Sequence, residues 1–234
     1  MPAATPVRAV LFDLDGTLVD SEIHTDTAIR IVAERHSVAG FSLPHTETRG
    51  RTWEHVAEVM RVRTGMTADA GALAHELLAY WTEIAADVKP VPGSPEAIRE
   101  AARGLKLAVV SSSPKSVIDA FLGKLGVADC IASGARIGGD SVSRSKPDPE
   151  GLLMGARALG AEPSASLVFE DSHAGLLAAR AAGMRSMFIT CCASDVPGNT
   201  PLATASCTDY RSLPPRFWAR IAEGSLDIAG KVYA

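Results

Sequence analysis

Two aspartates separated by a single residue follow the first apolar run of the chain, in VRAVLFDLDGTLVDSE at residues 7–22. Residues i and i+2 of a β-strand point to the same face, so the spacing predicts that Asp13 and Asp15 are aimed at one place. Two carboxylates that close repel each other, and each loses solvation when it is buried. The pair therefore indicates either a cation at this place or a reaction that uses both groups.

Further polar side chains end later apolar runs or lie between them: Ser111, Ser112 and Ser113 in LAVVSSS, Lys146 in SRSKPDPE, and Glu170 and Asp171 in SLVFED. In open α/β sheets, ligands bind at the carboxyl ends of the strands, so we expect these groups to converge on one edge. Several carboxylates without clustered His or Cys favour a hard cation, most simply Mg²⁺. Together with hydroxyls and an ammonium group, they indicate phosphoryl transfer.

The elements that must position these groups alternate along the chain. Short apolar runs at 9–15, 105–113, 166–171 and 185–191 are typical of buried strands, and Ala/Leu-rich patterns at 114–126, 149–160 and 172–183 are typical of helices that end at a Gly. The alternation predicts an α/β fold, a Rossmann-like doubly wound sheet of parallel strands.

Residues 21–90 interrupt this alternation. They contain no convincing strand, and amphipathic patterns at 25–37, 52–65 and 70–88 predict helices. We therefore predict a core domain formed by residues 1–20 and 91–234 and an inserted α-helical cap domain formed by residues 21–90. Residues 224–234, GSLDIAGKVYA, are expected to be a loosely held tail.

Composition restricts the partners and the location. A net charge of −4 gives no basic surface, so neither nucleic acid nor a membrane is expected as a partner, and no apolar run approaches a membrane span. The start of the chain, MPAATPVRAV, lacks the pattern of a secretory signal, which predicts a cytoplasmic protein, expected as a monomer or weak homodimer.

The four cysteines are Cys130, Cys191, Cys192 and Cys207, and none of them shows a CxxC spacing. We interpret them as reduced core residues, with a redox or zinc role as the alternative.

Four segments, FDLDGTLVDSE, VVSSS, KPDPE and VFEDSHAGLLAARAAGM, resemble in order and spacing the four motifs of the haloacid dehalogenase-like (HAD) superfamily. The resemblance covers about residues 7–210 and is strongest to the branch of sugar-phosphate phosphatases and β-phosphoglucomutases. That branch carries a helical cap between the first two motifs, where this chain has its insertion.

The resemblance implies a role for each acid. Asp13 matches the nucleophile that forms an aspartyl-phosphate, and Asp15 matches the general acid/base. A magnesium ion would be held by the carboxylate of Asp13, the backbone carbonyl of Asp15, and Asp171. Glu170 would be a supporting ligand or would orient the others.

The resemblance also implies that Ser111, with Ser112 beside it, and Lys146 bind the phosphate. In the cap, the candidates for substrate specificity are Glu22, His24, Arg49 and Arg51. Glu22 and His24 are equally compatible with substrate contact and with packing at the hinge. The two arginines suit an oxygen-rich ligand but are also compatible with a solvated surface.

These assignments predict a Mg²⁺-dependent phosphatase that acts on a small phosphorylated metabolite, in the first place a sugar phosphate. The alternative is a β-phosphoglucomutase-like mutase. The positions expected for the basic cap residues of such mutases hold Trp53 and Tyr80, and the position of their His holds Thr25, although Arg49 or Arg51 could substitute. A non-enzymatic phospho-receiver is disfavoured, because receivers need neither a cap nor Asp15.

Overall fold

A computed structural model describes residues 5–234. Residues 1–4, which belong to the predicted core domain and to the start predicted to be non-secretory, lie outside the described residues. The frame of the fold is a seven-stranded parallel sheet with the strand order β3-β2-β1-β4-β5-β6-β7. The strands are β1 Ala9–Phe12, β2 Lys106–Val110, β3 Arg136–Ile137, β4 Ser166–Glu170, β5 Arg185–Ile189, β6 Ala205–Cys207 and β7 Val232–Tyr233.

The centre of the sheet explains why the first apolar run is continuous. Every residue of β1 and β4 is buried, as expected for strands covered on both faces. β1 pairs with β2 on one side and β4 on the other, and the rings of Phe12 and Phe169 lie 5.3 Å apart between centroids. Asp13 and Asp171 therefore directly follow two fully buried central strands, at the carboxyl edge of the sheet.

Ten α-helices accompany the sheet within residues 5–234. They are α1 Glu22–Arg35, α2 His45–Thr48, α3 Trp53–Thr64, α4 Ala70–Ile84, α5 Ser94–Ala101, α6 Lys115–Lys124, α7 Glu150–Ala158, α8 His173–Ala181, α9 Val196–Asn199 and α10 Phe217–Glu223. Among the described residues, no helix combines the length and the apolar character needed to span a membrane.

The helices α1 to α4 form the cap. α4 packs against α1 and α3. The chain passes from core to cap and back through two connecting segments, and a β-bridge between Val19 and Pro90 joins these segments. Trp81 of α4 meets the ring of Phe121 in α6 edge-on, with centroids 5.8 Å apart, so the cap is closed against the core. The predicted fold class, a doubly wound parallel sheet with an inserted helical cap, is confirmed. The division of the chain into a cap of residues 21–90 and a core of the remaining residues stays a prediction.

Two expectations are wrong. Residues 224–234 are not a loosely held tail, because they bury Ile228 and provide β7, with Thr208 N donating to Tyr233 O at 2.9 Å. The cysteines are not all core residues. All four thiols are free, but only Cys207 is buried and Cys191 is exposed.

Candidate active site

The carboxyl edge of β1 and β4 gathers four of the predicted residues. Lys146 Nζ donates to Asp13 Oδ1 at 2.5 Å and to Glu170 Oε1 at 2.7 Å, and all three side chains are buried. One carboxylate oxygen each of Asp13, Glu170 and Asp171 lies within 4.8 Å of the others. The sequence prediction that these residues meet agrees with the structure.

The charges in this cluster are not balanced. Burial and the neighbouring Glu170 raise the pKa of Asp13 and of Asp171 well above their ordinary values. Burial lowers the pKa of Lys146, but Asp13 and Glu170 outweigh it and raise that pKa overall, so the ammonium stays charged. One ammonium faces three carboxylates, and the site therefore favours a further cation.

Asp171 offers a place for that cation. Its Oδ2 is buried and has no hydrogen-bond partner, while Oδ1 accepts a hydrogen bond from Thr17 Oγ1 at 3.3 Å. Gly16 leaves the approach open, because a Cβ at Gly16 would lie 2.2 Å from Oδ2. Buried carboxylate oxygens are ligands that Mg²⁺ prefers, so the residues fit such an ion.

Glu170 has a different place in the cluster. Its Oε2 accepts hydrogen bonds from the backbone N of Asp171 at 2.7 Å and of Ser172 at 3.0 Å. Its Oε1 accepts from Lys146 and from Ser172 Oγ at 3.2 Å. Because both oxygens are already engaged, Glu170 supports the cluster by holding Lys146 and the loop that carries Asp171.

Gly175 in α8 makes room for Glu170, and we expect Gly175→Ala to disrupt the cluster. The added Cβ would lie 1.6 Å from Glu170 Oε1, so the carboxylate has to leave its four donors. The expected loss is roughly 2–4 kcal/mol in the free energy of unfolding, measured with urea. The matched control is Gly123→Ala in α6, where no atom lies within 4 Å of the new Cβ. This control is expected to gain about 0.5–1 kcal/mol, and equal effects of both substitutions would contradict the interpretation.

Asp15 is held by three hydroxyl groups. Ser21 Oγ donates to Oδ1 at 2.7 Å, and Ser113 Oγ and Ser111 Oγ donate to Oδ2 at 2.8 and 3.4 Å. Burial raises the pKa of Asp15, and these hydrogen bonds oppose the rise. Ser113 was expected at this edge of the sheet without a role of its own, whereas Ser21 was not predicted as a site residue. The only signal for Ser21 was its proximity to the first motif, in DSE.

Hydrogen bonds join the cap to the core beside the site. Ser112 Oγ donates to the backbone O of Gly50 at 2.8 Å, and Arg51 Nη1 donates to the backbone O of Lys146 at 3.0 Å. Ser112, predicted to bind phosphate, thus contacts the cap while it also lines the cavity between cap and core.

That cavity opens onto Asp13 and Asp15. The residues that line it on the cap side, here called the cap wall, are Glu22, Thr25, Thr48, Gly50, Arg51, Trp53, Val56 and Trp81. The cavity leaves about 30 Å³ for water-sized molecules, which is room for about two waters. A phosphorylated metabolite is larger than this, so the cap has to move for a substrate to enter.

The four cap candidates take different positions. Glu22 and Arg51 line the cavity, whereas Arg49 lies behind Glu22, with its Nε 3.4 Å from Glu22 Oε2. His24 is half-buried in α1 and does not line the cavity, although its neighbour Thr25 does. Burial raises the pKa of Glu22 to about 8, against the opposing effect of Arg49.

Comparison with known proteins identifies the family. The model of the haloacid dehalogenase-like hydrolase family matches residues 7–183. Validoxylamine A 7'-phosphate phosphatase of Streptomyces hygroscopicus subsp. limoneus is 35% identical over 187 residues, 78% of this chain and 85% of that protein. Phosphoglycolate phosphatase 1 of Pseudomonas aeruginosa is 30% identical over 198 residues, 78% of this chain and 69% of that protein.

The chain belongs to the haloacid dehalogenase-like hydrolase family, and the prediction of an enzyme of the phosphatase type is confirmed. A crystal structure of β-phosphoglucomutase from Clostridium difficile superposes with a TM-score of 0.77 over 94% of this chain and 98% of that one. At a sequence identity of 19%, this superposition shows that the two proteins share a fold, and nothing further.

Proposed function

We propose that this enzyme is a Mg²⁺-dependent phosphatase that hydrolyses a sugar phosphate or a similar small metabolite through an aspartyl-phosphate on Asp13. The observation that carries the proposal is the position of Asp13. Its buried carboxylate is fixed by Lys146, lines the cavity under the cap, and has Asp15 beside it. A phosphate ester in this cavity meets a nucleophile and an acid/base, and the ammonium of Lys146 is bound to the nucleophile.

The reaction follows as two displacements at phosphorus. A carboxylate oxygen of Asp13 attacks phosphorus, the bond to the ester oxygen breaks, and Asp15 gives its proton to the leaving alcohol. Asp15, now ionised, takes a proton from water, which attacks phosphorus and releases inorganic phosphate from Asp13. Lys146 offsets the negative charge on the phosphoryl oxygens, and Ser111 is placed to donate a hydrogen bond to one of them.

Asp13 and Asp171 are the residues that would hold Mg²⁺, with Glu170 supporting them. The ion supplies positive charge that screens the repulsion between the Asp13 carboxylate and the phosphate.

We expect Mg²⁺ to stabilise the protein, because it binds carboxylates that only one ammonium now offsets. A Mg²⁺ concentration a hundredfold above Kd should add about 2.7 kcal/mol to the free energy of unfolding, seen as a higher Tm that falls again with chelator.

The same stabilisation should depend on pH. Burial raises the pKa values of Asp13 and Asp171, so without Mg²⁺ the folded protein binds more protons than the unfolded chain. Its stability therefore falls as the pH rises from the ordinary pKa through the raised one, and the stabilisation by Mg²⁺ grows over the same range.

Substitution separates this effect from general salt effects. Asp171→Asn should lose most of the Mg²⁺-dependent rise in Tm, whereas Asp148→Asn should keep it, because Asp148 pairs with Arg144 outside the cluster. A rise that is the same in both variants would place the ion elsewhere.

The cap wall supports a polyhydroxylated substrate. Glu22, Thr25, Thr48 and Arg51 offer hydrogen-bond donors and acceptors, and Trp53 offers an aromatic face against which the carbon skeleton of a sugar can pack. The two phosphatase relatives are named for different substrates, so the cap wall and not the family argues for this class.

The test is phosphate release from a panel of sugar phosphates and small acid phosphates, with Mg²⁺ and with chelator. Mg²⁺-dependent release that is strongest for one sugar phosphate supports the proposal. Conversion of glucose 1-phosphate to glucose 6-phosphate only after addition of a sugar bisphosphate, without release, would instead establish the mutase.

A further inference from the structure

Two adjacent cysteines lie at the same carboxyl edge of the sheet as Asp13, Glu170 and Asp171. Cys191 and Cys192 follow β5, their Sγ atoms are 3.6 Å apart, and both thiols are free. Cys191 is exposed and Cys192 is partly buried. The hydrogen bond between the thiols lowers the pKa of Cys191, which favours its reactive thiolate form, and raises the pKa of Cys192.

The backbone of this pair is tied to the cap. Arg49 Nη1 donates to the backbone O of Cys192, and only 12% of the Arg49 side chain is exposed. The same guanidinium pairs with Glu22, which lines the cavity. Arg49 therefore joins the loop after β5 in the core to the cap wall, and the Cys192 carbonyl is its acceptor on the core side.

We propose that Cys191 and Cys192 are a peroxide-sensitive modification site, and that their oxidation to a disulfide loosens the closed cap through Arg49. The effect on turnover rests on the proposed phosphatase function, whereas the modification itself does not.

The chemistry balances with a hydroperoxide as oxidant. The Cys191 thiolate attacks one peroxide oxygen, the O–O bond breaks, and the other oxygen takes up a proton and leaves as water or an alcohol. The sulfur of Cys192 then attacks the resulting sulfenic acid, the thiol proton is lost, and the hydroxyl group leaves as water. The two cysteines lose two electrons and two protons, and the peroxide gains them.

Geometry connects this step to the cap. A disulfide needs its sulfurs about 2.05 Å apart, and its Cα atoms are usually 4.4 Å or more apart, whereas neighbouring Cα atoms are about 3.8 Å apart. Closing the bond therefore distorts the peptide unit between Cys191 and Cys192, and this unit is directly followed by the Cys192 carbonyl that accepts the hydrogen bond from Arg49. A strained disulfide of this kind is easily reduced, so the modification is reversible.

The modification is tested on the full chain with hydrogen peroxide. Intact mass and peptide mapping should show the loss of two hydrogens from the peptide that carries both cysteines, reversed by dithiothreitol. Acrylamide quenching of tryptophan fluorescence then reports the cap without any substrate, because Trp53 lines the closed cavity and is only 8% exposed. Quenching should increase on oxidation and return on reduction.

Kinetics with p-nitrophenyl phosphate complete the test. Oxidation should raise KM about tenfold, as expected for the loss of a hydrogen bond from a charged donor, and reduction should restore it. Cys191→Ser should keep the basal activity and lose the response to peroxide. The matched control Cys130→Ser leaves the pair intact and should respond like the parent protein.

Two results would overturn the proposal. One is the addition of oxygen to either sulfur without loss of the two hydrogens. The other is disulfide formation with unchanged quenching. If the reduced enzyme hydrolyses no phosphate ester, the proposed function fails, while the mass and quenching measurements still decide whether the pair forms a disulfide and moves the cap.

Discussion

Asp13→Asn is expected to lower kcat by at least about 10⁴-fold, because the amide that replaces the carboxylate is not a nucleophile toward phosphorus. The substitution keeps the shape of the side chain, and the amide oxygen can still accept the hydrogen bond that Lys146 Nζ donates to Oδ1 at 2.5 Å. The site thus loses the reacting oxygen and little of its geometry.

Stability should not fall with the activity. Burial and Glu170 raise the pKa of Asp13, which means that its charge is unfavourable in the folded protein. Its removal is expected to leave the free energy of unfolding unchanged or to increase it. Single-turnover phosphate release and urea unfolding, measured on the same preparation, check both statements.

The matched control is Asp148→Asn. It makes the same chemical change in a side chain outside the cluster, which pairs with Arg144 and accepts a hydrogen bond from the backbone N of Glu150, and the variant should keep its activity. Turnover by Asp13→Asn above about a hundredth of the parent rate would mean that another group attacks phosphorus.

The cluster of Asp13, Glu170 and Asp171 was predictable because parallel strands that start on one side of a sheet end on the other. Asp13 follows β1, Glu170 ends β4, and β1 and β4 pair in register, so two apolar runs were enough to bring these acids together. Lys146 lies in a loop, and here the sequence motifs and not the periodicity placed it.

The cap wall was harder to predict, because the face that a helix turns toward the cavity depends on how the whole helix packs. In α1, Thr25 lines the cavity while His24 does not. A difference of one residue turns a side chain by about 100° around the helix axis, which decides between substrate and solvent.

The contact between Arg49 and Cys192 could not be predicted from any sequence pattern, because the two residues are 143 positions apart. The strands β3 and β7 have two residues each, too few to show a period, and β7 forms because it pairs with β6 and Tyr233 packs on Phe217. Such features follow from the folded arrangement and not from local preference.

Lys146→Met is expected to destabilise the metal-free protein by roughly 3–5 kcal/mol and to abolish turnover. Nζ donates to both Asp13 and Glu170, and its loss leaves three buried carboxylates without a cation. Methionine fills a similar volume, so the loss reports charge and hydrogen bonding more than packing. The matched control is Lys106→Met, because the exposed Lys106 Nζ donates only to the backbone O of Leu159 and its removal should cost little.

The pH dependence separates a charge effect from a packing defect. Lys146 lowers the pKa of Asp13, so without it the pKa rises further and the folded variant binds still more protons than the unfolded chain. Its stability should therefore fall more steeply with pH than that of the parent, and the difference between them should be small near about pH 4 and largest above the raised pKa. Urea unfolding of both proteins and of Lys106→Met across this range measures the difference. A loss that is equal at every pH would show that Lys146 acts through packing, and the phosphate would then need another source of positive charge.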